Sequence, residues 1–160
     1  MTTSTDRIEK TVKLDAPRSR VWRAISDSKQ FGQWFGVTLS SAFAPGAAVE
    51  GRMNHPKYAH LALTIWIESV DPERFFSFRW HPYALEEGVD YNAEPTTLVT
   101  FSLEPEETGT RLTIVESGFD AIPESRRAMA FSMNDRGWAS QVENIRKFLL
   151  ALDNSQRGGQ

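Results

Sequence analysis

Between residues 8 and 14 the chain alternates Ile8, Lys10, Val12 and Leu14 with Glu9, Thr11 and Lys13, the period-two pattern of a strand with one solvated face. Lys10 is the one charged residue on the otherwise apolar side. Asp15-Ala16-Pro17 closes the strand. Pro17 then leads into Val21, Trp22 and Ile25 at helical spacing, which predicts a short helix over about residues 18–26. Asp27 or Ser28 can cap a second short helix carrying Phe31, Trp34 and Phe35, an aromatic cluster too large to be left in water without reason.

From Val37 to Glu116 the period returns to two, broken by turn residues at Pro45-Gly46, at Asp71-Pro72-Glu73 and between Pro105 and Gly109. Leu61, Leu63, Ile65 and Ile67 face one way, and Ala62, Thr64, Trp66 and Glu68 the other. Phe76, Phe78 and Trp80 alternate with Ser77, Arg79 and His81, so the aromatic set points inward. Val99, Phe101 and Leu103 repeat the pattern, followed by Leu112, Ile114 and Glu116. Strict alternation thus puts the Glu116 carboxylate on the inner face with Leu112 and Ile114. After Gly118 the spacing becomes helical. Pro123 can open a helix in which Phe131, Trp138, Val142, Ile145, Leu149 and Leu152 form one stripe, predicting about five turns buried along one side. Six or seven antiparallel strands followed by a long terminal helix define an α+β domain.

Composition narrows the partners. Eighteen lysines and arginines against twenty-one acids give a net charge of −3, which offers no general attraction to nucleic acid or anionic lipid. No apolar run approaches the roughly 18–20 residues needed to cross a bilayer, so no membrane role is expected. The absence of cysteine excludes disulfides, thiolate catalysis and cysteine-ligated metals. The polar start, residues 1–6, has no signal-peptide core, and a cytoplasmic location is the default expectation. One domain is expected over 6–153, with 1–5 and 154–160 as flexible tails.

Four stretches carry a resemblance to a known family: Ala16-Pro17-Arg18-Ser19-Arg20-Val21-Trp22-Arg23-Ala24-Ile25 with Gln33-Trp34-Phe35; Glu68-Ser69-Val70-Asp71-Pro72-Glu73-Arg74-Phe75-Phe76-Ser77-Phe78-Arg79-Trp80; Thr97-Leu98-Val99-Thr100-Phe101; and Thr110-Arg111-Leu112-Thr113-Ile114 through Gly118-Phe119, closed by Gly137-Trp138. In this order and spacing the chain resembles the START-like (SRPBCC, helix-grip) superfamily, and within it the branch named after the activator of heat-shock-protein-90 ATPase. The resemblance implies a seven-stranded sheet curved round the C-terminal helix, two short helices near its open end and an apolar pocket inside. It does not choose among ligand binding, cyclisation, hydrolysis and chaperone stimulation, all of which the superfamily contains. No stretch matches the separate N-terminal chaperone-binding domain of the eukaryotic activators, which argues against a co-chaperone role.

On this reading Trp34, Phe35, Phe78, Trp80, Phe119 and Trp138 line a pocket, the alternative being that they complete a dry core. Glu116 is the polar residue placed to orient a ligand or to act as acid or base; otherwise it pairs with Arg79, Arg111 or a helix residue. Asp135, three residues before Trp138, reads as a helix cap beside Asn134 or as a second polar contact across the pocket. His55, His60 and His81 lack the i, i+4 spacing of a zinc helix, and no metal or cofactor is expected. No G-x-S-x-G elbow or glycine-rich phosphate loop occurs. The leading expectation is non-catalytic binding of a small apolar or aromatic molecule. The others are a cyclase, hydrolase or isomerase using Glu116, and an interaction module meeting a chaperone or a second copy through the outer sheet face around Trp66.

Overall fold

The computed structural model of the chain describes residues 7–57, 62–82 and 94–158, with side chains to residue 151. Strand β1 (Arg7–Leu14) buries Ile8 and Leu14. Pro17 stands at the N-cap position of helix α1 (Arg18–Ser26), where its missing N–H costs nothing. Asp27 then caps α2 (Ser28–Phe35), its carboxylate accepting from the Lys29 backbone N–H at 3.0 Å. Trp34 ties the two helices together by donating Nε1–H to the Ala24 carbonyl at 2.8 Å.

Six further strands follow: β2 (Val37–Leu39), β3 (Ala48–Met53), β4 (Ala62–Asp71), β5 (Phe75–Trp80), β6 (Thr97–Pro105) and β7 (Thr110–Ser117). All pair antiparallel in one sheet of order β1-β7-β6-β5-β4-β3-β2. The alternation predicted from sequence holds on the inner face, where Ile65, Ile67, Phe76, Phe78, Trp80, Val99, Phe101, Leu103, Leu112 and Ile114 are all buried. A register shift between Ile67 and Ser69 interrupts the β4–β5 ladder. Trp66 on the outer face is half-buried, meeting His81 edge-on at 5.4 Å.

The turn between β6 and β7 closes on Gly109, whose φ of +104° is unfavourable for any side chain. A Cβ there would lie 2.2 Å from the Leu14 carbonyl oxygen. Gly109→Ala is therefore expected to destabilise the fold by about 2 kcal/mol or more, combining left-handed strain with backbone displacement. Urea unfolding measures it, and a loss below about 0.5 kcal/mol would show that the turn relaxes freely.

A short 3₁₀ turn (Phe119–Ala121) leads into helix α3 (Glu124–Gly158), which lies against the sheet with Ala130, Trp138, Ile145 and Leu149 buried. Its 35 residues make nearly ten turns, about twice the length read from the apolar stripe. The additional turns carry polar and exposed residues such as Arg126, Ala128 and Met129, which favour helix but add nothing to an amphipathic pattern. With the helix starting at Glu124, Asp135 lies in its interior and caps nothing. Its carboxylate meets the Lys10 ammonium at 2.9 Å, which explains the charged residue on the inner side of β1.

Candidate functional site

Glu116 occupies the inner face of β7 and is wholly buried. Register places it opposite Ile8 of β1 and Val99 of β6, and sets Trp80 of β5 opposite Thr97 of β6. Four side chains donate to the carboxylate. Oε2 accepts from Trp80 Nε1 at 2.7 Å and Thr97 Oγ1 at 2.6 Å; Oε1 accepts from Trp138 Nε1 at 2.8 Å. Asn134 Nδ2 lies between the two oxygens, at 2.9 Å and 3.0 Å. A carboxylate offers about four lone-pair positions, and these donors fill them. The group therefore joins three strands of the sheet to α3 through neutral partners. Neither guanidinium considered from sequence reaches it: Arg79 pairs with Glu68 at 3.0 Å and Arg111 with Glu106 at 2.8 Å.

Around this carboxylate the aromatic residues pack ring against ring. Trp80 and Trp138 lie 5.7 Å apart, and Phe35 contacts them edge-on at 5.8 Å and 6.0 Å. Phe78 meets Trp80 at 5.3 Å, and Phe101 meets Trp138 at 5.7 Å. Trp34 adjoins Phe35 at 5.8 Å. Six of the seven residues singled out in the sequence thus converge, while Phe119 packs instead against Phe131 at 5.2 Å. Phe35 is the one member of the seven that is not buried. Its carbonyl accepts from Gln141 Nε2 at 3.0 Å, so α3 holds the C-terminal end of α2 in place.

Thr97 and Asn134 escaped the sequence reading, although both left a signal. Thr97 alternates with Val99 and Phe101 and so faces inward, and Asn134 precedes Trp138 by one helical turn. His81 Nε2 contacts the Glu94 carbonyl at 3.2 Å, and the Glu94 carboxylate meets Arg126 of α3. The His55 ring accepts from the Lys57 backbone N–H. His60, Tyr58 and Tyr83 lie outside the described residues. Among the described residues no group of three His, Asp or Glu side chains could hold a metal ion. Nor is any helix among them long and apolar enough to cross a membrane. One groove runs on the outside between α2 and β2, past Lys29, Gln33, Thr38 and Asn54, and another lies beside the first turns of α3 at Arg127 and Phe131; none of the seven residues lines either.

The Lys10–Asp135 pair is half in solvent, with 27% and 45% of the two side chains exposed. A double-mutant cycle with Lys10→Met and Asp135→Ala is expected to give a coupling of about 0.5 kcal/mol that fades near 1 M salt. A coupling above about 2 kcal/mol would mark the pair as a true interior link between β1 and α3.

Residues 15–149 match the family described as Activator of Hsp90 ATPase homolog 1-like protein. No curated protein matches the chain. Among solved structures, a protein of Arthrobacter aurescens superposes with a TM-score of 0.76 at 20% identity, over 94% of this chain and 90% of its own. A protein of Mesorhizobium loti does so with a TM-score of 0.71 at 23% identity, over 89% and 96%. The Aha1 dimer of Colwellia psychrerythraea gives 0.63 at 17% identity, over 91% and 92%. At such identities the likeness speaks for the fold: a curved antiparallel sheet holding a long C-terminal helix.

Proposed function

The chain belongs to the Activator of Hsp90 ATPase homolog 1-like family, and from that premise we propose that it binds a small apolar or aromatic molecule between the sheet and α3, without catalysing a reaction. The supporting observation is the triangle of Phe35, Trp80 and Trp138, with ring centroids 5.7 to 6.0 Å apart, in which Phe35 alone is only partly buried. Both indole N–H groups point away into Glu116, so what the triangle offers a ligand is carbon and π-surface. An outward turn of the Phe35 ring would open the faces of Trp80 and Trp138 to a ligand ring, which would then sit against all three aromatics and keep Phe35 as one of its contacts.

The same hydrogen bonds bear on catalysis. An acid or base needs reach to a substrate proton, whereas Glu116 already has its acceptor positions occupied by protein donors. This favours binding over the cyclase, hydrolase or isomerase reading. The test is titration with the neutral fluorescent probe N-phenyl-1-naphthylamine. Saturable one-to-one binding is expected, weakened about threefold to tenfold by Phe35→Ala, the worth of one aromatic contact. Absence of saturable binding, or binding indifferent to Phe35, would remove the proposal.

A further inference from the structure

We infer that the aromatic triangle selects an organic cation, a small molecule bearing a quaternary or tertiary ammonium group, over neutral and anionic molecules of the same shape. The inference rests on the binding reading above and adds the sign of the ligand's charge. Glu116 is completely buried, and all four of its partners are neutral. Every contact is a donor to the carboxylate, the arrangement an ionised group calls for. Lys10 pairs with Asp135, Arg79 with Glu68 and Arg126 with Glu94, and none of these three cations is among the partners of Glu116. The interior beside Trp80 and Trp138 thus carries a negative charge with no cation among its partners.

Three effects then act together on a cation placed against the rings. The faces of Phe35, Trp80 and Trp138 are the negative poles of their quadrupoles. Each indole donates its N–H to a carboxylate, which pushes electron density into the ring and strengthens that pole. The carboxylate itself lies at the N–H edge of both indoles, 2.7 and 2.8 Å from their nitrogens, in a setting where water screens it poorly. An anion would meet all three with the wrong sign. A quaternary ammonium suits the site best among cations, because its charge is spread over methyl groups that need no hydrogen bonds from the protein.

Competition against bound N-phenyl-1-naphthylamine tests this with three molecules of one shape: benzyltrimethylammonium, the neutral neopentylbenzene and the anionic benzylphosphonate. The ammonium is expected to displace the probe at a concentration about fivefold or more below that of neopentylbenzene, with benzylphosphonate ineffective. Phe35→Leu keeps the apolar bulk and removes one ring face, and should reduce the ammonium's advantage while the fold survives. If neopentylbenzene competes as well as the ammonium or better, the charge preference is refuted and apolar binding stands. If N-phenyl-1-naphthylamine does not bind at all, the binding reading fails and takes this inference with it.

Discussion

Glu116→Leu is expected to lower stability by about 4 kcal/mol or more, a large share of the 5–15 kcal/mol typical of a domain. The substitution keeps most of the side-chain volume and removes the acceptor. Trp80 and Trp138 Nε1–H and Thr97 Oγ1–H would each be left in the interior without a partner, and the half-buried Asn134 Nδ2–H would lose its own. A buried donor stranded in this way costs about 1–3 kcal/mol, and relaxation recovers part of the sum. Glu116→Gln should lie between, at about 2 kcal/mol, because its carbonyl still serves two donors while its amide N–H₂ faces the others. Urea unfolding followed by circular dichroism measures both. A loss below about 1 kcal/mol for the leucine variant would mean that Glu116 is not the joint between sheet and helix.

The second large effect is expected at Phe101. Its ring is fully buried and touches Phe31 at 6.1 Å, Trp34 at 6.3 Å, Phe78 at 6.0 Å and Trp138 at 5.7 Å, linking β6 to both α2 and α3. Phe101→Ala should cost about 3–5 kcal/mol, from lost transfer energy and from a cavity that the surrounding α2, β5 and α3 cannot collapse to fill. Phe101→Leu preserves more of the contact surface and should cost about 1–2 kcal/mol. Because Phe101 packs on Trp138, itself a donor to Glu116, the double variant with Glu116→Gln should lose less than the sum of the two. An alanine variant within about 1 kcal/mol of the wild type would show that the rings repack around the gap.

Much of this arrangement is legible in the sequence because strands alternate. The pattern Leu112, Ile114, Glu116 is enough to put a carboxylate inside, and Phe76, Phe78, Trp80 enough to put three aromatics opposite it. Where α1 and α2 begin follows from Pro17 and Asp27, each acting through a local hydrogen bond or its absence. What alternation does not give is register. That Trp80 stands opposite Thr97 and Glu116 opposite Val99 depends on which turns close the hairpins, and only then do four donors from three elements meet at one carboxylate. Lys10 and Asp135 illustrate the same limit, each looking misplaced in its own segment and making sense only as a pair across β1 and α3. The length of α3 was hidden for a different reason: its first turns and last turns present no apolar stripe to count.

The binding account concentrates on two of the chain's five tryptophans. Each indole N–H gives its own resonance in a proton–nitrogen correlation spectrum, so a titration of the ¹⁵N-labelled protein with N-phenyl-1-naphthylamine reports on all five at once. The account predicts that the Trp80 and Trp138 signals shift progressively to saturation, while those of Trp22 on α1 and Trp66 on the outer face stay in place. Shifts confined to Trp22 or Trp66, or none at saturating probe, would contradict it.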